Sequence, residues 1–196
     1  MSEVTRRSRM KAERRSQLVR AASRLFAERG FRAVSMEDLA AEAGVSGPAV
    51  YRHFASKEAL LADLLIDVSE QLLEQGRQRA TDASPLRALT SLVAFHTDFA
   101  LRDRDLIRIQ DHDFANLALE DARTVSRLQR AYLEIWVGVL RRIDPALTES
   151  VARTKIQAVF GLLNSTPHSA SHRDTEATRS ILEAMAMDAL GTTLAR

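Results

Sequence analysis

A short stretch of the chain places polar, cationic and small residues at a spacing suited to holding a polyanion. It opens with Ser46, Gly47 and Pro48, and its later members carry a phenol, a guanidinium, an imidazole and an ammonium group: Tyr51, Arg52, His53 and Lys57. Such groups donate hydrogen bonds to phosphate oxygens or base edges. The N–H groups at the start of a helix also attract anions, and helix starts are predicted after Ser35, Ser46 and Ser56. The chemistry indicated by this stretch is polyanion binding.

Two helices are predicted ahead of it. The apolar residues within 18–26 recur at helical spacing, and Gly30 is positioned to end that helix as a C-terminal cap. Ser35 and Asp38 have the spacing of a capping box, in which each side chain satisfies a backbone N–H of the other residue. They begin a second helix that Gly44 ends.

A third helix is predicted from its N-cap, Ser46, to about Phe54, with a proline in the first turn where no N–H partner is needed. The connection between the second and third helices contains Gly44, which permits a left-handed turn, and Val45, which can fill the space between the helices. Two short helices joined in this way have the layout of a helix-turn-helix, whose second helix fits a DNA major groove. An ordinary helical hairpin in a core is the alternative.

Helical periodicity continues to the end of the chain, and no segment alternates with period two for long enough to predict a strand. Further helices are expected to start at Ser56, Ser84 and Thr148, to run from Leu119 to Ile143, and to follow Asp174, and a shorter, more polar one is expected from Leu106 to Phe114. The predicted fold class is all-α, with about nine helices.

Charge divides the chain near residue 57. Residues 1–57 contain 12 Lys and Arg against 6 Asp and Glu, a balance of +6, whereas the other 139 residues contain 16 and 20, a balance of −4. Only the N-terminal part therefore favours a polyanion.

Composition excludes several classes of protein. The sequence has no cysteine, which rules out disulfide scaffolds, thiolate metal sites and cysteine nucleophiles. No apolar run approaches the roughly 18 residues of a membrane span, and no apolar segment follows the basic N-terminus as in a secretory signal. We expect a soluble, cytoplasmic protein without a membrane partner.

Residues 34–61 read VSMEDLAAEAGVSGPAVYRHFASKEALL, and the preceding helix ends LFAERGF. The combination of AGVS, YRHF and SKEALL resembles the DNA-binding region of the tetracycline-repressor (TetR) family over about residues 15–65. The resemblance implies a homodimeric transcriptional repressor that binds a double-stranded DNA operator and is released by a small-molecule effector. The residues that it places near DNA, together with Arg52, are Ser35, Ser46, Gly47, Pro48, Tyr51, His53 and Lys57.

The sequence departs from the family at the start of the recognition helix. Family members often have Lys or Arg just after the serine, whereas this chain has Gly47 and Pro48. Base readout is therefore expected to depend more on Arg52 and on the basic N-terminal residues. These residues, 1–14, are expected to form a flexible arm that enters a minor groove, with a solvated terminus as the alternative.

Two domains are expected to follow the arm: a helix-turn-helix DNA-binding domain at 15–57, and a helical effector-binding and dimerisation domain at 58–196. Candidate effector contacts combine aromatic and polar side chains within apolar stretches: His96, Phe99, His112, Phe114, Tyr132, Trp136, Phe160 and Asn164. Ordinary core packing is the alternative for the aromatic residues, and a helix-end hydrogen bond is the alternative for Asn164. A largely apolar effector is expected.

No metal site and no cofactor are predicted. His168 and His172 would share a helix face, and with Asp111 or Asp113 they could ligate a metal, but Pro167 and the nearby serines favour a loop there.

Dimerisation is assigned to the helices at about 148–165 and 175–190, which the family usually pairs as a four-helix bundle.

A helical enzyme acting on a small molecule is the alternative function. The chain lacks a nucleophile elbow, a phosphate loop and a metalloprotease motif, so no catalytic residue is assigned. A non-specific DNA-compacting protein is disfavoured by the acidic residues after position 57.

Overall fold

The computed structural model describes residues 3–169 and 175–191, in which no β-strand occurs. Helices α1 to α4 are Glu3–Arg29, Met36–Glu42, Gly47–Tyr51 and Lys57–Ala80. Helices α5 to α7 are Pro85–Arg102, Arg104–Asp113 and Leu119–Ile143, and α8 to α10 are Glu149–Leu163, Thr166–Ser169 and Thr175–Ala189. The all-α prediction is confirmed, and the segment beyond the expected nine is the four-residue α9.

The chain forms two compact units. The first contains the described residues up to Asp67 together with Arg108–Arg123, and the second contains Val68–Ile107 and the described residues from Thr124 onward. The sequence predicted a boundary near residue 57, and it gave no sign that 108–123 group with the N-terminal helices.

In the first unit, α1 packs against α2, and α2 packs against α3. The predicted apolar residues Leu18, Phe26 and Leu39 are buried here, and so is Val50 of α3. The rings of Phe26 and Phe31 meet edge to face, with centroids 5.3 Å apart. This core holds α1, α2 and α3 in one arrangement.

Helix α1 corrects one prediction. It begins at Glu3, so residues 3–14 are helical rather than a flexible arm. No glycine or proline interrupts residues 3–29, and adding turns to an existing helix requires no new nucleus. The sequence pattern did not predict that residues 3–14 are helical, because these turns have no apolar stripe.

The second unit has its core along α5, α7 and α8, where Leu92, Trp136 and Ile156 are fully buried. Helix α10 packs against α5 and α8. The side chain of Asp98 on α5 pairs with Arg102 and with Arg179 of α10. Within the described ranges, no helix is both long enough and apolar enough to cross a membrane.

Candidate nucleic-acid interface and aromatic cluster

The turn between α2 and α3 is fixed by backbone hydrogen bonds. Gly44 has φ +64°, the left-handed conformation expected of it. The N–H of Val45 donates to the carbonyl of Ala40 at 2.9 Å, and that of Gly44 donates to Ala41 at 3.1 Å. These two bonds form a Schellman motif, which ends α2 sharply and sets the direction of α3.

Helix α3 presents an exposed face of mixed chemistry. Tyr51 is 52% exposed, although it is a large aromatic residue. Ser46, Pro48 and Arg52 are also exposed. Ser46 occupies the N-cap position, but its side chain makes no capping hydrogen bond, contrary to expectation. Its hydroxyl is therefore not part of the helix cap.

Ser35 behaves differently, because it forms the predicted capping box. The N–H of Asp38 donates to Ser35 Oγ at 3.0 Å, and the N–H of Ser35 donates to Asp38 Oδ2 at 2.8 Å. The hydroxyl of Ser35 also donates to Asp38 Oδ2, and these bonds hold the pKa of Asp38 below its ordinary value. The Ser35 side chain is thus committed to starting α2.

Lys57, a predicted DNA contact, is engaged inside the protein. Its Nζ donates to the carbonyl oxygens of Phe31 and Val34, each at 2.7 Å. The same ammonium lies 4.4 Å from the centre of the Phe31 ring. This geometry ties the start of α4 to the connection between α1 and α2.

Asp113 holds the same connection from another element. It is buried at the end of α6, and its Oδ1 accepts a hydrogen bond from the N–H of Phe31 at 3.3 Å. The peptide groups of Phe31 are therefore bound on one side by a carboxylate and on the other by Lys57. The sequence indicated Asp113 only as a candidate metal ligand. Nothing in its local pattern predicted the contact with Phe31.

Arg15 is also neutralised within the first unit. It pairs with Asp63 on α4, and its Nη1 lies 3.5 Å from Asp67. Its guanidinium lies 5.5 Å from the centre of the Phe54 ring. Helix α1 therefore lies beside the residues that follow α3.

The second unit gathers six predicted effector contacts in one aromatic cluster. Three rings lie nearly parallel: Phe160 is 4.9 Å from His96 and 5.6 Å from Tyr132, centre to centre. Trp136 stands almost perpendicular to Phe160 at 5.0 Å. Phe99 contacts the His96 ring at 5.8 Å. Asn164, the C-cap of α8, completes the set.

His96 lies at the centre of a short polar network. Its Nε2 lies 3.0 Å from Asn164 Oδ1, and its Nδ1 lies 3.3 Å from the Tyr132 hydroxyl. With the amide oxygen as acceptor, Nε2 carries the proton and Nδ1 accepts from Tyr132. Burial lowers the pKa of His96 to about 4 and raises the pKa of Tyr132. The imidazole is therefore neutral near pH 7.

Gly76 on α4 allows Tyr132 to approach closely. A Cβ at this position would lie 2.6 Å and 2.8 Å from two carbons of the Tyr132 ring. The sequence did not predict this contact, because Gly138 and Gly161 are also isolated glycines within helices and have no neighbour within 4 Å of such a Cβ.

The chain is similar in sequence to known regulatory proteins. The family model described as "Bacterial regulatory proteins, tetR family" matches residues 18–64. The transcriptional repressor KstR2 of Rhodococcus jostii (strain RHA1) is 31% identical over 132 residues, which cover 66% of this chain and 65% of KstR2. The chain belongs to the tetR family.

Solved structures show the same fold. A TetR-family regulator from Bordetella parapertussis 12822 superposes with a TM-score of 0.80 at 22% identity, over 93% of this chain and 98% of that one. The regulator FadR from Bacillus subtilis, in complex with stearoyl-CoA, gives a TM-score of 0.71 at 20% identity, over 89% and 98%. The tetR-family fold thus extends well beyond the matched N-terminal segment.

Some predicted sites of this tetR-family chain are not brought together. His112 and Phe114 belong to the first compact unit, whereas the other six effector candidates belong to the second. The side chains of His168 and His172 lie outside the described part of the chain. Among the residues that the structure does describe, no group of three or more His, Asp or Glu is arranged to hold a metal ion.

Proposed function

We propose that this protein is a homodimeric transcriptional repressor that binds a palindromic operator through α3 and releases it when a small, largely apolar effector binds. Its tetR-family membership and the name of KstR2, a transcriptional repressor, support regulation over the enzyme alternative. The observation that carries the proposal is the exposed face of α3 after a rigid helix-turn-helix turn.

The chemistry of that face suits DNA. Ser46 and Arg52 flank α3 at its two ends and are exposed, and Tyr51, the last residue of the helix, is exposed as well. A short helix of this kind fits the major groove, where hydroxyl and guanidinium groups read base edges. A single helix binds weakly, and a two-fold dimer would present two copies to the two halves of a palindrome.

The effector is assigned to the aromatic cluster. His96, Phe99, Tyr132, Trp136, Phe160 and Asn164 offer mostly apolar surface and few polar groups, which favours an apolar ligand with limited hydrogen bonding. FadR in its complex with stearoyl-CoA is a protein of the same fold with an acyl ligand.

Helix α4 supplies the link in this proposal. Its residues 57–67 belong to the first unit and its residues 68–80 to the second. Gly76 contacts Tyr132, and Lys57 holds the connection before α2. An effector that favours one position of α4 would change the spacing of the two recognition helices, and only such a preference can shift DNA affinity.

A mobility-shift assay tests the proposal. The purified protein is titrated against DNA from upstream of its own gene and against random DNA of equal length, at two salt concentrations. We expect tighter binding to the upstream fragment by a factor of about 10³ or more. Equal affinity for both fragments would contradict specific regulation. Repeating the assay with acyl and aromatic metabolites tests release, and effectors that bind without changing operator affinity would contradict the coupling.

A further inference from the structure

Residues 8–14 of α1 form an exposed basic segment. Every side chain from Ser8 to Arg14 is exposed, and this segment contains Arg9, Lys11 and Arg14 against a single acidic residue, Glu13. Arg15 differs from these three cations because Asp63 and Asp67 neutralise it. Arg9, Lys11 and Arg14 are thus exposed positive charges on α1.

These cations lie beside the end of α3. The guanidinium of Arg15 lies 5.5 Å from the centre of the Phe54 ring, which places this part of α1 beside the residues that follow α3. Burial lowers the pKa of His53, and the charges of Lys11, Arg14 and Arg52 lower it further. Lys11 and Arg14 are three residues apart on α1 and so lie on one face of it, and together with Arg52 they form one surface, which we name the α1–α3 basic surface.

We propose that Lys11 and Arg14 contact the phosphate backbone of DNA that is bound to α3, and that they do so from a helix rather than from an arm in the minor groove. The inference rests on the proposed function and adds a second DNA-contacting element to it. Its basis is charge complementarity and continuity with the exposed face of α3.

The helical form of the segment excludes the minor-groove arm that the sequence suggested. An α-helix with its side chains is about 10–12 Å across, whereas the minor groove of B-DNA is about 6 Å wide. Long basic side chains on a helix can instead reach phosphates along the edge of the groove. Such contacts hold the protein in register and carry no sequence information of their own.

The test uses the full-length protein with Lys11→Gln and Arg14→Gln combined. The matched control combines Arg127→Gln and Arg130→Gln, which removes two exposed charges from the second unit. Affinity for operator and for random DNA is measured across a salt series, and urea denaturation verifies that each variant is folded.

We expect the slope of log K against log salt to become shallower by roughly 0.9 for each lost phosphate contact, hence by about 1.8 for each bound subunit. Affinity for operator and for random DNA should fall by the same factor, so their ratio should not change. The control should keep the wild-type slope.

Three outcomes would overturn the inference: an unchanged slope in the basic-helix variant, an equal change in the control, or a loss confined to operator DNA. The last would indicate base reading in a groove. Failure of the proposed function has a different signature, since the wild-type protein would then show no preference for operator, while its slope on random DNA would still report on the α1–α3 basic surface.

Discussion

The ammonium group of Lys57 donates hydrogen bonds to the carbonyl oxygens of Phe31 and Val34. Its removal should therefore lower the stability of the fold. Hydrogen bonds to charged groups contribute about 1.5–3 kcal/mol. We expect Lys57→Met to lower the free energy of unfolding by about 2 kcal/mol, measured by urea denaturation. Lys155→Met, which removes one bond of 3.3 Å to Leu190, should have a smaller effect.

The same variant tests the predicted DNA contact of Lys57. If the side chain only positions the helix-turn-helix, Lys57→Met weakens DNA binding and leaves the salt slope unchanged. A slope that becomes shallower by about 0.9 per subunit would show that Lys57 contacts phosphate instead.

Gly76 provides a second test at the residue scale. A Cβ there would overlap the Tyr132 ring, and forcing extra atoms into a packed site typically costs about 1–3 kcal/mol. We expect Gly76→Ala to destabilise the protein by this amount in urea denaturation. Gly138→Ala is the matched control, because its Cβ would meet nothing within 4 Å, and it should leave stability equal or higher. Equal effects of the two substitutions would contradict the close contact.

Stability should also depend on pH through His96. Its pKa is lowered from 6.5 to about 4, so between these values the unfolded chain binds a proton that the folded chain does not. Stability is therefore greatest above pH 6.5 and is lost as the pH falls, by up to about 1.4 kcal/mol per pH unit and about 3 kcal/mol in total. Denaturation of wild type and His96→Gln at a series of pH values checks this, and parallel profiles would contradict it.

At the scale of elements, the two serines before α2 and α3 have different tasks. Ser35 forms a capping box, whereas the Ser46 side chain makes no capping bond. We expect Ser35→Ala to lower the free energy of unfolding by about 1 kcal/mol, the usual effect of losing an N-cap.

Ser46→Ala is the complementary variant. It should change the free energy of unfolding by only a few tenths of a kcal/mol, because the Ser46 hydroxyl makes no capping hydrogen bond. It should weaken operator binding, because this exposed hydroxyl is a proposed DNA contact. Urea denaturation and mobility shifts on both variants separate the two roles. If Ser46→Ala binds operator as wild type does, Ser46 is not a DNA contact.

Local chemistry predicted the elements well wherever a cap or a stripe marked them. Ser84, Thr148, and Leu119 to Ile143 set helix bounds that the structure confirms. The helical residues 3–14 were missed because exposed polar turns leave no periodic signal. The contacts of Lys57 and Asp113 with Phe31 were missed because they join residues 26 and 82 positions apart, which only the tertiary fold brings together.

At the scale of the whole molecule, the proposed dimer needs an apolar face that the chain leaves uncovered. Ile181 and Met185 on α10 are 58% and 50% exposed, and their spacing of four places them on one side of the helix. Val159, Leu163, Leu182 and Leu190 lie on the two helices assigned to the interface from sequence, but they are buried within the chain itself. The face open to a partner is thus narrower than the sequence suggested.

We expect Ile181→Glu combined with Met185→Glu to give a monomer with much weaker operator binding, because two recognition helices are needed for a palindrome. Light scattering after size-exclusion chromatography measures the mass. Leu119→Glu replaces a side chain that is 67% exposed on α7 and serves as the control, which should leave the mass unchanged. A double variant of dimeric mass would place the interface elsewhere.

Trp136 is the only tryptophan in the sequence, and it is completely buried against His96, Tyr132 and Phe160. The tryptophan fluorescence of the protein, excited where its two tyrosines do not absorb, therefore comes from one indole in the aromatic cluster. An effector that enters this cluster changes the emission directly, with no label and no DNA present. The residue that completes the proposed binding site is thus also its optical reporter, and a metabolite collection can be screened by emission alone.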